Sequence, residues 1–158
     1  IGKTEGHIDQ SLFARTVLNE KNGPPPEVNL FNERNNGETL LNLIDRNYIK
    51  SAHDVSLGGI ITAISKMCIK GNKGIELRIP KFLINETEYF FAEDQGRYII
   101  EVSLEDLKNV TKILDKNSVH YDQIGKIIDK DLIINQKTKV TIDELKSYNT
   151  NWLKDYMV

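Results

Sequence analysis

The sequence predicts an α+β protein, an α/β sandwich with helices packed on a mixed sheet. Three observations point there. About five stretches carry the apolar period of a helix and about five read as strands. They follow the irregular order ααβαβ(α)βαββα rather than a strict strand–helix alternation. The links between them are both long and short, which suits parallel and antiparallel neighbours in one sheet. A chain of 158 residues, 39% apolar and 28% charged, can bury a sizeable core and is too apolar to be disordered. Residues 1–158 are therefore read as a single domain.

Residues 8–20 carry Leu12, Phe13 and Val17 at helical spacing. Gly23 and Pro24 to Pro26 then exclude helix and predict a short polyproline segment. Leu40, Leu43, Ile44 and Tyr48 predict a helix over 33–47. Residues 51–55 read as a short strand. A helix over 58–70 follows, with Ile60, Ile61, Ile64, Met67 and Cys68 on a broad apolar face and Gly71 as its left-handed cap.

In the second half, Ile75, Leu77 and Ile79 alternate toward Pro80 and predict a half-exposed strand. Tyr98 to Ile100 are nearly continuously apolar and predict an interior strand. Ser103 and Asp106 form a capping-box pattern ahead of a stripe of Leu104, Leu107, Val110 and Leu114. Residues 121–129 and 132–142 read as antiparallel strands around short turns. Thr141 and Glu144 repeat the capping box, and Leu145, Tyr148, Trp152 and Tyr156 give the last helix an apolar face.

The formal charge is −2, so no basic excess points to nucleic acid. Cys68 is the one cysteine, which excludes an internal disulfide. Its place in an apolar run predicts a buried thiol in a reducing, cytoplasmic compartment. No stretch is long and apolar enough to span a membrane, and no signal peptide is visible. The start at Ile1, with Ile1–Gly2 reading as a strand end, suggests a piece of a longer polypeptide.

Three clusters are candidates for chemistry. In "SAHDVSLGG" a strand meets a glycine-containing turn that opens a helix. Ser56, Gly58 and Gly59 there leave backbone N–H groups pointing outward, an arrangement that suits phosphate. The same residues also suit a plain helix cap with close helix–strand approach, the commoner origin of a glycine pair. Asp54 beside a phosphate requires a cation such as Mg²⁺ between them, and His53 either bonds a ligand or satisfies local backbone. His7 and His120 lie far away in sequence, so nothing supports zinc.

In "FAEDQGRY" the polar residues Glu93, Asp94, Gln95 and Arg97 stand at the mouth of the most apolar strand, where open sheets bind ligands. A Glu93–Arg97 ion pair is the alternative. "IGKTEGH", with Lys3, Thr4 and Glu5, lacks the spacing of a Walker motif. No nucleophile–base pair can be assigned.

These clusters recur together in a known family. "IGKTEGHIDQSLF", "GPPPEVNLFNERNNGETLLNLI", "SAHDVSLGGIITAISKM", "FAEDQGRYII" and "IGKI" resemble, in order and spacing, the C-terminal part of the phosphoribosylformylglycinamidine synthase family. The match is to the synthetase subunit that works with separate glutaminase and small accessory subunits. It covers Ile1 to about Ile128 and fades toward Trp152. It implies a layered α/β/α domain, the C-terminal type of the aminoimidazole ribonucleotide synthetase superfamily. It also implies an ATP- and Mg²⁺-dependent ligase of purine biosynthesis acting on a ribonucleotide.

The family's enzyme has two similar halves, and this chain resembles the end of the second. That implies no catalytic residue here, with the catalytic histidine on the N-terminal remainder of the chain. An auxiliary nucleotide or phosphate site is implied at His53, Asp54, Ser56, Gly58, Gly59, Glu93, Asp94 and Gln95, with Asp54 as metal ligand. Leu57 stands where the family pattern has an aspartate, which weakens that site. A structural docking module and a related synthetase, such as aminoimidazole ribonucleotide synthetase, are the alternatives.

Overall fold

Helix formation begins where the sequence supplies a cap. In the computed structural model, which describes residues 1–78 and 85–157, the Asn29 side chain accepts the N–H of Asn32 and starts α1, Leu30–Asp45. The expected start at 33 is thus three residues late. Asn36, Thr39, Leu40 and Leu43 form its buried stripe. Asn47, with φ of 57°, takes the left-handed conformation just beyond its end.

The chain forms two compact units, Ile1–Ala63 with Leu83–Asp122 and Ile64–Phe82 with Gln123–Val158. In the first unit, β1 (Ser51–Asp54) pairs antiparallel with β3 (Tyr98–Glu101), so that Asp54 faces Tyr98. The interior position expected for β3 is partly met. Beyond β1, its other edge is paired at Tyr98, which exchanges two 3.0 Å backbone hydrogen bonds with Ile1. The core joins Leu43 of α1 to Val110 and Leu114 of α4 (Leu107–Lys116) and to Val119, with Ile1, Tyr48 and Ile100 against it.

Residues 8–20 contribute a short helical turn from Leu12, π-helical over Ala14–Leu18 and closed by Asn19 in the left-handed region. Its Phe13 stacks on Phe91 of α3 (Glu86–Phe91) with ring centroids 4.7 Å apart. Near α4 the Ser103 hydroxyl accepts the Asp106 N–H and donates to its carboxylate. Regular helix nevertheless starts only at Leu107. Leu104 therefore falls outside the buried stripe and is 86% exposed.

The second unit carries a four-stranded mixed sheet in the order β4-β2-β5-β6, made of Gly125–Ile128, Gly74–Leu77, Leu132–Ile134 and Thr138–Val140. Two short apolar segments in succession suggest a hairpin, but β4 and β5 do not pair. Both flank β2, β4 antiparallel and β5 parallel, because the apolar β2 has two edges to satisfy. Among the described residues only β5 and β6 form a hairpin. Leu77 and Leu132 are fully buried. Ile79 and Pro80, expected to end β2, lie outside the described residues.

The glycine cap expected after α2 (Gly59–Gly71) is Asn72 instead: Gly71 is still helical, and Asn72 takes φ of 52°. Cys68 is buried on this helix, and burial pushes its thiol pKa up, as for an inert core thiol. Thr141 and Glu144 make the full reciprocal capping box that starts α5, Ile142–Tyr156. The face expected to pack is turned outward: Tyr148, Trp152 and Tyr156 are all exposed.

The α+β class and the mixed sheet of the sequence reading are both present. Among the described residues no helix is long and apolar enough to cross a membrane. Leu114→Ala is expected to destabilise by about 2–5 kcal/mol. Leu104→Ala is expected to change stability by less than about 0.5 kcal/mol. Urea unfolding of the two variants would separate the buried stripe from the sequence stripe.

Candidate functional site

The apolar strand β3 needs a polar entrance, and the loop 92–97 provides it. Asp94 is only 6% exposed, yet its carboxylate is fully engaged. One oxygen accepts the N–H groups of Glu5 at 3.0 Å and Gly6 at 3.2 Å, and the other accepts the N–H of His7 at 3.1 Å. Three successive backbone donors converging on one carboxylate make an anion nest filled from within. The glycine-rich start of the chain supplies this nest, and its sequence gave no such sign.

Arg97 closes the other side. It is 2% exposed, and its guanidinium donates to the carbonyls of Asp94 and Ala92 and to the Thr4 hydroxyl. One guanidinium nitrogen also lies 3.8 Å from the Asp94 carboxylate. Burial pulls the Arg97 pKa down from its ordinary value, and Asp94 opposes that pull. The alternative Glu93–Arg97 ion pair is not formed among the described residues: Arg97 turns to Asp94, the Thr4 hydroxyl and the Ala92 carbonyl, because the loop buries it among them.

Glu93 has other partners. One carboxylate oxygen accepts the N–H of Leu12 at 2.7 Å and the N–H of Gly58 at 2.8 Å. Its own N–H donates to the His7 carbonyl. The two sequence clusters around 53–59 and 93–95 are thereby joined at Glu93 and Gly58. Gln95 is exposed and, among the described residues, reaches only the Glu93 carbonyl, at 3.4 Å.

The turn itself is built for close approach. Gly58 and Gly59 have φ of 82° and 68°. A Cβ on Gly59 would lie 2.5 Å from the Phe90 carbonyl oxygen and 2.7 Å from that of Ala92. Glycine at 59 is thus required by both conformation and space. The Ser56 carbonyl accepts the Gly59 N–H, while the Ser56 hydroxyl is exposed and has no partner among the described residues. Ser56 therefore does not cap α2 with its side chain.

Leu57 projects from the turn, 64% exposed. His53 places Nδ1 2.6 Å from the Asp54 carbonyl and 3.3 Å from its carboxylate. His7 and His120 bond elsewhere, to the Pro24 carbonyl and Asp122. Among the described residues no three His, Cys, Asp or Glu side chains gather to hold a metal.

Of the eight sequence-derived candidates, then, Glu93 and Gly58 meet directly. Asp94 and Gly59 are buried, His53 is half-buried, and Asp54, Ser56 and Gln95 are exposed. Sequence missed the backbone donors of residues 5–7 and Leu12, and the structural role of Arg97. Only Arg97 carried a signal, a cation amid carboxylates at a strand mouth.

Comparisons with known proteins follow the same outline. Residues 7–135 match the family model described as "AIR synthase related protein, C-terminal domain". The chain is 68% identical over 157 residues to the phosphoribosylformylglycinamidine synthase subunit PurL of Pelagibacter ubique, covering 99% of this chain and 22% of that one. It is similar in fold to Thermotoga maritima PurL complexed with FGAR, with a TM-score of 0.69, 20% identity, and coverage of 84% of this chain and 24% of that one. The T. maritima PurL complexed with ATP gives a TM-score of 0.63 and 20% identity over 71% of this chain and 21% of that one. The chain spans about a fifth of the length of the curated relatives it matches.

Two outcomes are expected. Asp94→Asn turns an amide NH₂ toward backbone donors and is expected to destabilise by about 3–5 kcal/mol, read as a lowered urea midpoint. Tyr89, buried in α3, has its pKa pushed from 10.0 up to about 12, first by burial and then by Asp122, with Arg97 opposing. Its folded pKa is raised, so its contribution is fully present below pH 10 and is lost as pH rises toward 12. Tyr89→Phe removes that titration. Thermal unfolding across this window should show a smaller alkaline loss in the variant than in the parent.

Proposed function

We propose, from the premise that this chain belongs to the AIR synthase related protein C-terminal domain family, that it is the C-terminal domain of an ATP-dependent ligase. The whole enzyme makes formylglycinamidine ribonucleotide from formylglycinamide ribonucleotide and glutamine-derived ammonia. The observation that carries this reading is the 68% identity to a PurL subunit along 99% of this chain. The amide oxygen of the ribonucleotide takes the γ-phosphoryl group of ATP and leaves as phosphate when ammonia adds to the same carbon. An amide oxygen is a poor leaving group, and phosphorylation makes it a good one.

The domain contributes scaffold rather than chemistry. Two acidic groups at the strand entrance bond to its own backbone: buried Asp94 to residues 5–7, and half-buried Glu93 to Leu12 and Gly58. The Asp94 carboxylate, with both oxygens bonded and Arg97 beside it, has little capacity left for a ribonucleotide or a metal. Among the described residues, nothing around Asp54 supplies the cluster of ligands a resident metal needs. ATP, Mg²⁺, the glutaminase and the small accessory subunit are assigned to the full-length enzyme, in the cytoplasm.

The full-length protein carrying this domain is expected to release ADP only when the ribonucleotide and ammonia are both supplied. The chain of residues 1–158 alone should release none. Absence of turnover in the full-length protein would overturn the ligase reading, and turnover by the isolated chain would overturn the scaffold reading. Calorimetric titration of Mg-ADP into the full-length protein should be unchanged by Asp54→Asn. Weakened binding would instead assign Asp54 to a ligand site.

A further inference from the structure

Ile1 and Gly2 are bonded on both sides. Ile1 exchanges two 3.0 Å backbone hydrogen bonds with Tyr98 of β3, the close pairing of antiparallel strands. The Gly2 N–H turns the other way and donates to the His120 carbonyl at 2.8 Å. Backbone bonded along both edges is how an interior strand satisfies its polar groups. Ile1 also packs on the core of Leu43, Val110 and Leu114.

The same edge of β3 runs on past this pair. In a strand the backbone groups of alternate residues face one edge, so Ile100 turns its N–H and C=O to the side on which Tyr98 meets Ile1. Among the described residues no backbone bond is made to Ile100 there. The Ile100 side chain packs on the core, so this stretch of open edge lies beside buried surface. The amino nitrogen of Ile1 is buried as well: burial lowers its pKa to about 6, with Asp122 opposing. Such a position suits an uncharged peptide N–H better than an ammonium.

We propose that the polypeptide entering Ile1 in the full-length protein is a strand that pairs antiparallel with β3 through Ile100. This rests on the reading of the chain as the C-terminal domain of a longer protein, of whose curated relatives it spans about a fifth. The register follows from the Ile1–Tyr98 pair: the second residue before Ile1 stands opposite Ile100. Side chains two apart share a face, so that residue points with Ile1 to the core and is expected to be apolar. With strands on both sides, β3 takes the interior position that its apolar run suits.

Hydrogen exchange of single amides in the full-length protein, resolved by fragmentation in the mass spectrometer, tests it. Ile100 should be protected to within about threefold of Tyr98, since one strand covers both. Proline at the second residue before Ile1 removes the donor to the Ile100 carbonyl, and Ile100 should then exchange about tenfold faster. Should that variant fail to fold, a cysteine at the same position combined with Ile100→Cys should form a disulfide on oxidation, because such paired residues stand about 5.5 Å apart. A cysteine at the third residue before Ile1, on the opposite face, should form none.

An Ile100 amide that exchanges about a hundredfold faster than Tyr98 would show an open edge and overturn the proposal. Protection at Ile100 that the proline leaves unchanged would show a different occupant, such as a second copy of the chain, and overturn it as well. So would a folded cysteine pair that does not crosslink. None of these readouts uses turnover, so an inactive full-length protein would count against the ligase reading alone.

Discussion

The carboxylate of Asp94 is the point on which the first unit depends. It is buried, and it accepts three consecutive backbone N–H groups from the start of the chain. A carboxylate is costly to bury unless each oxygen is bonded and a counter-charge lies near. Here the donors come from residues 5–7 and the counter-charge from Arg97. The consequence runs outward. Arg97 reaches Thr4 and the Ala92 carbonyl, Ile1 pairs with Tyr98, and the entrance of β3 is fixed against the beginning of the chain.

That arrangement changes the meaning of an acidic cluster at a strand mouth. In sequence, Glu93, Asp94 and Gln95 read as groups offered to a ligand. In the fold, two of the three are ligands to the protein's own backbone. Glu93 joins Leu12 to Gly58, and Asp94 ties down residues 5–7. The glycine pair completes the pattern, since Gly59 lets α2 come within contact of the Phe90 and Ala92 carbonyls. The family motifs thus mark a folding signature as much as a binding one.

How much of this was legible can be argued from particular residues. The strand at 51–54, helix α2 and the Thr141–Glu144 box follow from local rules that need only a few neighbouring residues. The pairing of β4 and β5 with β2 does not, because partner choice between short strands is set by tertiary packing. Tyr148, Trp152 and Tyr156 show the same limit from the other side: periodicity gave a helix face correctly spaced but could not say what covers it. Gly71 as a cap failed for a smaller reason, since asparagine also tolerates the left-handed conformation and lies one residue further on. The site was half legible. Its residues stood out by type, but a carboxylate bonded to N–H groups nearly ninety positions away leaves no trace in spacing.

Asp94 acts as an internal anion holding the start of the chain. Amide hydrogen exchange at Glu5, Gly6 and His7 in the intact protein tests it most directly. These three amides are expected to exchange only through the opening that exposes the core, with the protection of Val110 and Leu114. Exchange of the three at rates near those of an unstructured peptide would contradict it.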